Sequence, residues 1–237
     1  QKTAYEIMPS LVGSEMCIRD RARIESGNKK YIKLSSNENP HGASPLAIKA
    51  IKKTYNSLNR YPDASGYNLR NKLAKIFNIK IGNVVIGAGS EGIMSTIMRT
   101  FLLNDDEIIT AEGSFIGFRV LANASGRKIH WVPMKDYHYN LELMAEKITD
   151  YTKIIYIANP DNPMGTYINK SDFDQFYSHV PERVLIILDE AYYEFAKFQP
   201  DYPDSMHYRY DNVITLRTFS KAYGLGGLRL GLSLIHI

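Results

Sequence analysis

From Asn83 onward, short β-branched or continuously apolar runs alternate with stretches of helical periodicity. The run "NVVIG" (83–87) precedes "SEGIMSTIMRTFL", in which Ile93, Met94, Ile97, Met98 and Phe101 fall on one helical face. Further strand candidates are "EIITA" (107–111), "KIHWV" (128–132), "KIIYIA" (153–158), "VLIILDE" (184–190) and "NVITLRT" (212–218). Several lack polar alternation, as strands covered on both faces should. Helical stretches separate most of them, so the pattern predicts a three-layer α/β/α unit with a mostly parallel, doubly wound sheet. Upstream, helices over about 44–58 and 66–77 flank "NRYPDASG", where Pro62 and Gly66 predict a turn. In such sheets ligands bind at the carboxyl ends of the strands, so the chemistry is expected just after each strand.

Composition narrows the function classes. With 237 residues, 44% of them apolar, the chain can bury a core, which excludes disorder as the whole answer. The net charge of +4 is spread along the chain, and no Lys/Arg block is interleaved with aromatics, so a nucleic-acid partner is not expected. No apolar run approaches the ~18 residues of a membrane span. The single cysteine, Cys17, excludes an internal disulfide framework and fits a reducing compartment, hence the cytoplasm.

The two ends read differently from the middle. Residues 1–21, "QKTAYEIMPSLVGSEMCIRDR", have no helical or strand period and no signal-peptide pattern. The pieces "SLVGSEMCIRDR" and "LSLIHI" are similar to translated sequencing-adapter read-through. The expectation is that 1–21 and 232–237 are not native, in which case Cys17 is not native either.

The motif "GAGSEG" (87–92) matches G-x-G-x-x-G between a strand and a helix, with Glu112 at the end of the next strand. Physically it offers helix N-terminal N–H groups to an anion, which leaves a dinucleotide, another phosphate ligand and plain tight packing all open. The later strands favour another ligand than a dinucleotide. After "IIYIA" comes "NPDNPMGT", whose prolines hold an extended turn and aim Asn159 and Asn162. After "VLIIL" come Asp189, Glu190, Ala191 and Tyr192, and a carboxylate ending a buried strand calls for a cation. Then "TLRTFSKAYGLGGLR" gathers Thr218, Ser220, Lys221 and Arg229 among glycines. One ligand would satisfy all of them: a phosphate for the helix start, the hydroxyls and Arg229, a ring cation for Asp189, a phenolic oxygen for Asn162 and Tyr192, and an aldehyde for Lys221. Pyridoxal 5′-phosphate carries all four groups.

The motifs "LSSNENPHG", "NRYPD", "GAGSEG", "NPDNPMG", "DEAYYEF" and "TFSKAYGLGGLRLG" stand in order over about residues 31–231. In this the chain resembles the fold-type I, pyridoxal-phosphate-dependent aminotransferases of class I and II, and within them the histidinol-phosphate branch. The resemblance implies that Lys221 forms the Schiff base and that Asp189 pairs with the pyridinium nitrogen. It implies that Asn162 and Tyr192 hold the phenolic oxygen and that Phe115, with Phe118 as the weaker candidate, stacks on the ring. Ser90 and Glu91, through backbone N–H groups, with Thr218, Ser220 and Arg229 would hold the phosphate, and Tyr61 would reach the phosphate of the neighbouring subunit in a homodimer. Gly92 and Gly113 stand where the family more often has an acidic residue and a proline.

By resemblance, the amine of Lys221 moves the substrate Cα proton, and the amino group passes from histidinol phosphate to 2-oxoglutarate in histidine biosynthesis. The rival readings are a decarboxylase of a phosphorylated amino acid, an aminotransferase for another amino acid and, from a different class, a nicotinamide-dependent oxidoreductase. The implied organisation is an N-terminal arm and start of a small domain at 22–60 and a cofactor-binding large domain at 61–231. The rest of the small domain, with an arginine for the substrate's acidic group, would lie beyond the chain. These 237 residues alone are therefore expected to fold poorly or to bind the cofactor weakly.

Overall fold

The computed structural model describes residues 35–208 and 210–235; the segment 1–21, Cys17 and residues 236–237 lie outside the described residues. Seven strands form one sheet in the order β1-β7-β6-β5-β4-β2-β3. They are β1 (Val84–Ala88), β2 (Glu107–Ala111), β3 (Lys128–Val132), β4 (Thr152–Ala158), β5 (Leu185–Asp189), β6 (Val213–Thr218) and β7 (Leu230–Ile235). The pairs β2–β3, β2–β4, β4–β5 and β5–β6 are parallel, while β7 lies antiparallel between β1 and β6. The mostly parallel α/β sheet expected from the apolar runs is therefore present. The seventh strand was not foreseen. Its residues Leu232, Ser233 and Leu234 are buried in the sheet, with Leu232 and Leu234 packed against Leu73, Ala74 and Val84.

Eight helices accompany the sheet among the described residues: α1 (Pro45–Lys52), α2 (Tyr67–Ile76), α3 (Gly89–Phe101), α4 (Ile116–Ala124), α5 (Leu141–Glu146), α6 (Lys170–Tyr177), α7 (Tyr193–Ala196) and α8 (Ser205–Tyr208). Strand parity explains the continuous apolar runs. On β4, Ile155 and Ile157 face a core with Met144 of α5 and Phe173 and Phe176 of α6. Ile154, Tyr156 and Ala158 face the opposite core, with Ile93, Met94, Ile97 and Met98 of α3 and Phe118 and Ala122 of α4. Both faces are covered, so neither position can be polar without a partner.

The expected helix over 44–58 is shorter. Ser44 caps α1 by accepting from the Ala47 N–H at 3.3 Å and Pro45 opens it, but the helix ends at Lys52 and a separate 3-10 turn follows at Tyr55–Ser57. No residue of α1 is buried, so no apolar face holds further turns in place.

Candidate active site

The carboxyl ends of β4, β5 and β6 and the amino end of α3 open on a cavity of about 210 Å3. Asp189, the last residue of β5, is 4% exposed. Its Oδ2 accepts a hydrogen bond from the Tyr156 hydroxyl at 3.0 Å and its Oδ1 accepts from the Ala191 N–H at 3.2 Å. Burial pushes its pKa up to about 6, although Tyr156, Ala191 and the charge of Lys221 act in the opposite direction. Two neutral donors and a more distant ammonium thus leave this carboxylate short of positive charge, and a cationic group in the cavity would supply it.

At the other end, α3 starts without a side-chain cap. Gly89 has a φ of +75°, and a Cβ there would lie 2.5 Å from Nη2 of Arg229. A Cβ on Gly231 would lie 2.4 Å from the Ser90 nitrogen. Glycine at both places lets the guanidinium and the start of β7 come against the helix N-terminus. The hydroxyls of Ser90, Thr218 and Ser220 belong to the same lining, and Thr218 Oγ1 accepts from the Ser220 N–H at 3.1 Å. Helix N–H groups, an arginine and three hydroxyls are a donor set suited to a phosphate.

Lys221 also lines the cavity. Its Nζ donates to the Ser36 carbonyl at 2.8 Å and sits 5.7 Å from the centroid of the Tyr192 ring. The Tyr192 hydroxyl accepts from Asn37 Nδ2 at 2.8 Å, and burial pushes its phenol pKa up. Asn39 Nδ2 donates to the Ala222 carbonyl at 2.8 Å, so the segment 36–39 is pinned over the lysine loop. A second recess of about 390 Å3 shares Pro160, Asn162 and Tyr192 with the cavity and extends to Tyr167, Phe195 and Gln199.

Of the residues singled out from sequence, Ser90, Glu91, Phe115, Asn162, Asp189, Tyr192, Thr218, Ser220, Lys221 and Arg229 all line the cavity. Tyr61 does not line it and is fully exposed. Phe118 is buried behind it, stacked on Tyr156 at 3.9 Å between centroids and 6° between planes, so Phe115 is the phenylalanine of the cavity wall. Asn159 is not aimed at a ligand: its Nδ2 donates to the Ile168 carbonyl at 3.1 Å and its Oδ1 accepts from the Ile168 N–H at 2.9 Å. Glu112 stays outside the lining.

Sequence reasoning missed Tyr156 and Asn37. Tyr156 stands inside an apolar run at the same strand parity as Ala158, which was a usable signal. Asn37 is 155 residues from Tyr192, and nothing local announces their contact.

The family model for aminotransferases of class I and II matches residues 29–236. The chain belongs to this family. Curated relatives of this family member include histidinol-phosphate aminotransferase 1 of Idiomarina loihiensis, 39% identical over 90% of the chain and 58% of the relative. The histidinol-phosphate aminotransferase of Anoxybacillus flavithermus is 40% identical over 90% of the chain and 59% of the relative. Among solved structures, histidinol-phosphate aminotransferase from Sinorhizobium meliloti, in complex with pyridoxal-5′-phosphate, superposes with a TM-score of 0.81 at 31% identity. That match covers 94% of this chain and 60% of the other. The chain thus spans about three-fifths of the length of the relatives it matches.

Proposed function

We propose that this chain is the cofactor-binding part of a pyridoxal-phosphate-dependent aminotransferase that exchanges an amino group between histidinol phosphate and 2-oxoglutarate. The observation that carries the cofactor is one cavity holding a phosphate-type donor set, a buried carboxylate in want of a cation, and a lysine amine. Histidinol phosphate rests on the names of the relatives, and 2-oxoglutarate on the resemblance to the family. Pyridoxal phosphate, when bound, supplies an electron-accepting ring that stabilises negative charge on the substrate Cα.

The chain's own residues provide the rest. Asp189 keeps the ring nitrogen protonated, because a pyridinium is the cation that its buried carboxylate lacks. Asn162 and Tyr192 would hold the phenolic oxygen and Phe115 would cover the ring, while the backbone N–H groups of Ser90 and Glu91 at the start of α3, with Thr218, Ser220 and Arg229, would hold the phosphate. Lys221 lines the same cavity and would carry the reactive amine, placed to hold the cofactor aldehyde and, once free, to move the proton at the substrate Cα. The recess beyond Asn162 and Tyr192 gives the donor room. Tyr61, fully exposed, is assigned to the site of a second subunit in a homodimer, with residues 61–231 as the cofactor-binding unit, 22–60 as arm and small-domain start, and the cytoplasm as location.

The test is reconstitution with pyridoxal phosphate, followed by histidinol phosphate and 2-oxoglutarate. At a pyridoxal phosphate concentration high enough to offset weak binding, the visible absorbance band of the bound cofactor is expected in the unsubstituted chain and absent in Lys221→Ala, with any turnover reduced at least about a thousandfold. A variant that keeps both band and turnover sinks the assignment. Release of carbon dioxide without consumption of 2-oxoglutarate would move the chain to the decarboxylases.

A further inference from the structure

Asp161 is a buried acid that the reaction as described does not use. It is 3% exposed, and its Oδ1 accepts from the Ser114 hydroxyl at 2.6 Å and the Tyr139 hydroxyl at 3.1 Å. Its Oδ2 accepts from the Met164 N–H at 3.1 Å. Its main chain is tied into the same loop: the Asp161 N–H donates to the Thr166 carbonyl at 2.8 Å, and its own carbonyl accepts from the Gly165 N–H at 3.0 Å. Tyr139 in turn accepts from the Ala158 N–H at 2.9 Å, at the end of β4, and touches Ser114 at 2.5 Å. The Tyr139 phenol is held well above its ordinary pKa by burial and by the charge of Asp161, so it remains a donor.

The sequence positions give this cluster its meaning. Ser114 precedes Phe115, and Asp161 precedes Asn162; Phe115 and Asn162 both line the cavity. We propose that Asp161 is a positioning residue whose carboxylate ties the Ser114–Phe115 corner to the Asn162 loop and so holds the two side chains that contact the cofactor ring. A carboxylate suits the place because all three groups facing it are donors, and burying an acceptor-only group costs least when every neighbour donates. An asparagine there keeps one acceptor for the two hydroxyls but turns an N–H toward the Met164 N–H. The assignment rests on the proposed cofactor, and its test includes a measurement made without it.

Asp161→Ala, Asp161→Asn and Ser114→Ala are compared in the full chain by three readouts. These are the dissociation constant of pyridoxal phosphate, the visible circular dichroism of the bound cofactor, which reports ring orientation, and hydrogen exchange of the cofactor-free chain over 113–116 and 161–165. Asp161→Ala is expected to raise the dissociation constant about tenfold or more, weaken the dichroism and speed exchange in both segments. Ser114→Ala is expected to do the same by about threefold. Asp161→Asn should speed exchange in 161–165 and leave 113–116 close to native. The proposal is overturned if Asp161→Ala or Ser114→Ala leaves affinity and dichroism unchanged, or if exchange in either of these two variants rises in one segment only. Should Asp161→Ala not fold, Ser114→Ala alone decides. Should the native chain bind no pyridoxal phosphate, the functional reading fails, and the exchange measurement still decides whether Asp161 couples the two segments.

Discussion

Asp189 and Glu190 are consecutive buried carboxylates at the end of β5, and the fold treats them in opposite ways. Successive strand residues face opposite sides of the sheet. Glu190 therefore meets Arg217 of β6, whose Nε and Nη2 donate to its Oε2 at 3.0 and 2.8 Å, while Ser205 donates to its Oε1 at 2.7 Å. Arg217 also reaches Asp204 at 2.8 Å and lies 3.4 Å over the Tyr193 ring. Burial works against the charge of Arg217, but Glu190 and Asp204 outweigh it and hold its pKa above the usual value. Asp189 has the hydroxyl of Tyr156 and one N–H instead. Burial pushes the pKa of Glu190 up as well, against Arg217 and Ser205, but a guanidinium bonds Glu190 directly, whereas the groups that bond Asp189 are neutral.

Removing each partner tests that contrast. The largest effect is expected for Glu190→Ala, which leaves Arg217 buried with less than its full complement of charge; chemical unfolding should register a loss of about 3–5 kcal/mol. A loss below about 1 kcal/mol would mean that the pair is not a structural one.

Asp189→Asn should act with the opposite sign. The pKa of Asp189 is raised from 3.8 to about 6, so the folded chain holds its proton more tightly than the unfolded one, and native stability falls as pH rises between those values. The difference corresponds to about 3 kcal/mol. The cofactor-free variant should match the native chain below pH 4, exceed its stability by about that amount at pH 8, and lose affinity for pyridoxal phosphate. Equal stability at both pH values would show that Asp189 is not short of positive charge.

The smallest effect is expected for Tyr156→Phe. Without the hydroxyl that donates to Asp189, the stability decrease should move about one pH unit upward, a cost of about 1.4 kcal/mol at pH 8. An unmoved profile would show that Tyr156 does nothing for the carboxylate.

Much of this site was legible along the chain. Asp189, Lys221 and Arg229 follow apolar runs, and a polar residue at the end of a doubly covered strand has few places to point other than the cleft. Other members were hidden. Asn159 and Asn162 look equivalent in "NPDNP", yet one is spent on the Ile168 backbone and the other lines the cavity. Phe115 and Phe118 differ by about one helical turn, and Phe118 is drawn into the core by its stacking on Tyr156 and its packing among Ile93, Met94, Ile97 and Ala122. Residues 232–237 were read as a non-native tail from their likeness to adapter read-through, and no local signal shows that Leu232–Ile235 continue a strand between β1 and β6, whose partners lie up to about 150 residues away.

By itself the sequence determined the first six strands and their alternation with helices, the coverage on both faces, and the chemistry collected at the strand ends, since apolar periodicity and turn residues act over short stretches. The tertiary structure decided which of two neighbouring carboxylates, amides and phenylalanines faces the cavity, and where β7 inserts. Side-chain direction follows strand parity and distant packing partners, and a burial cost is set only when those partners are in place.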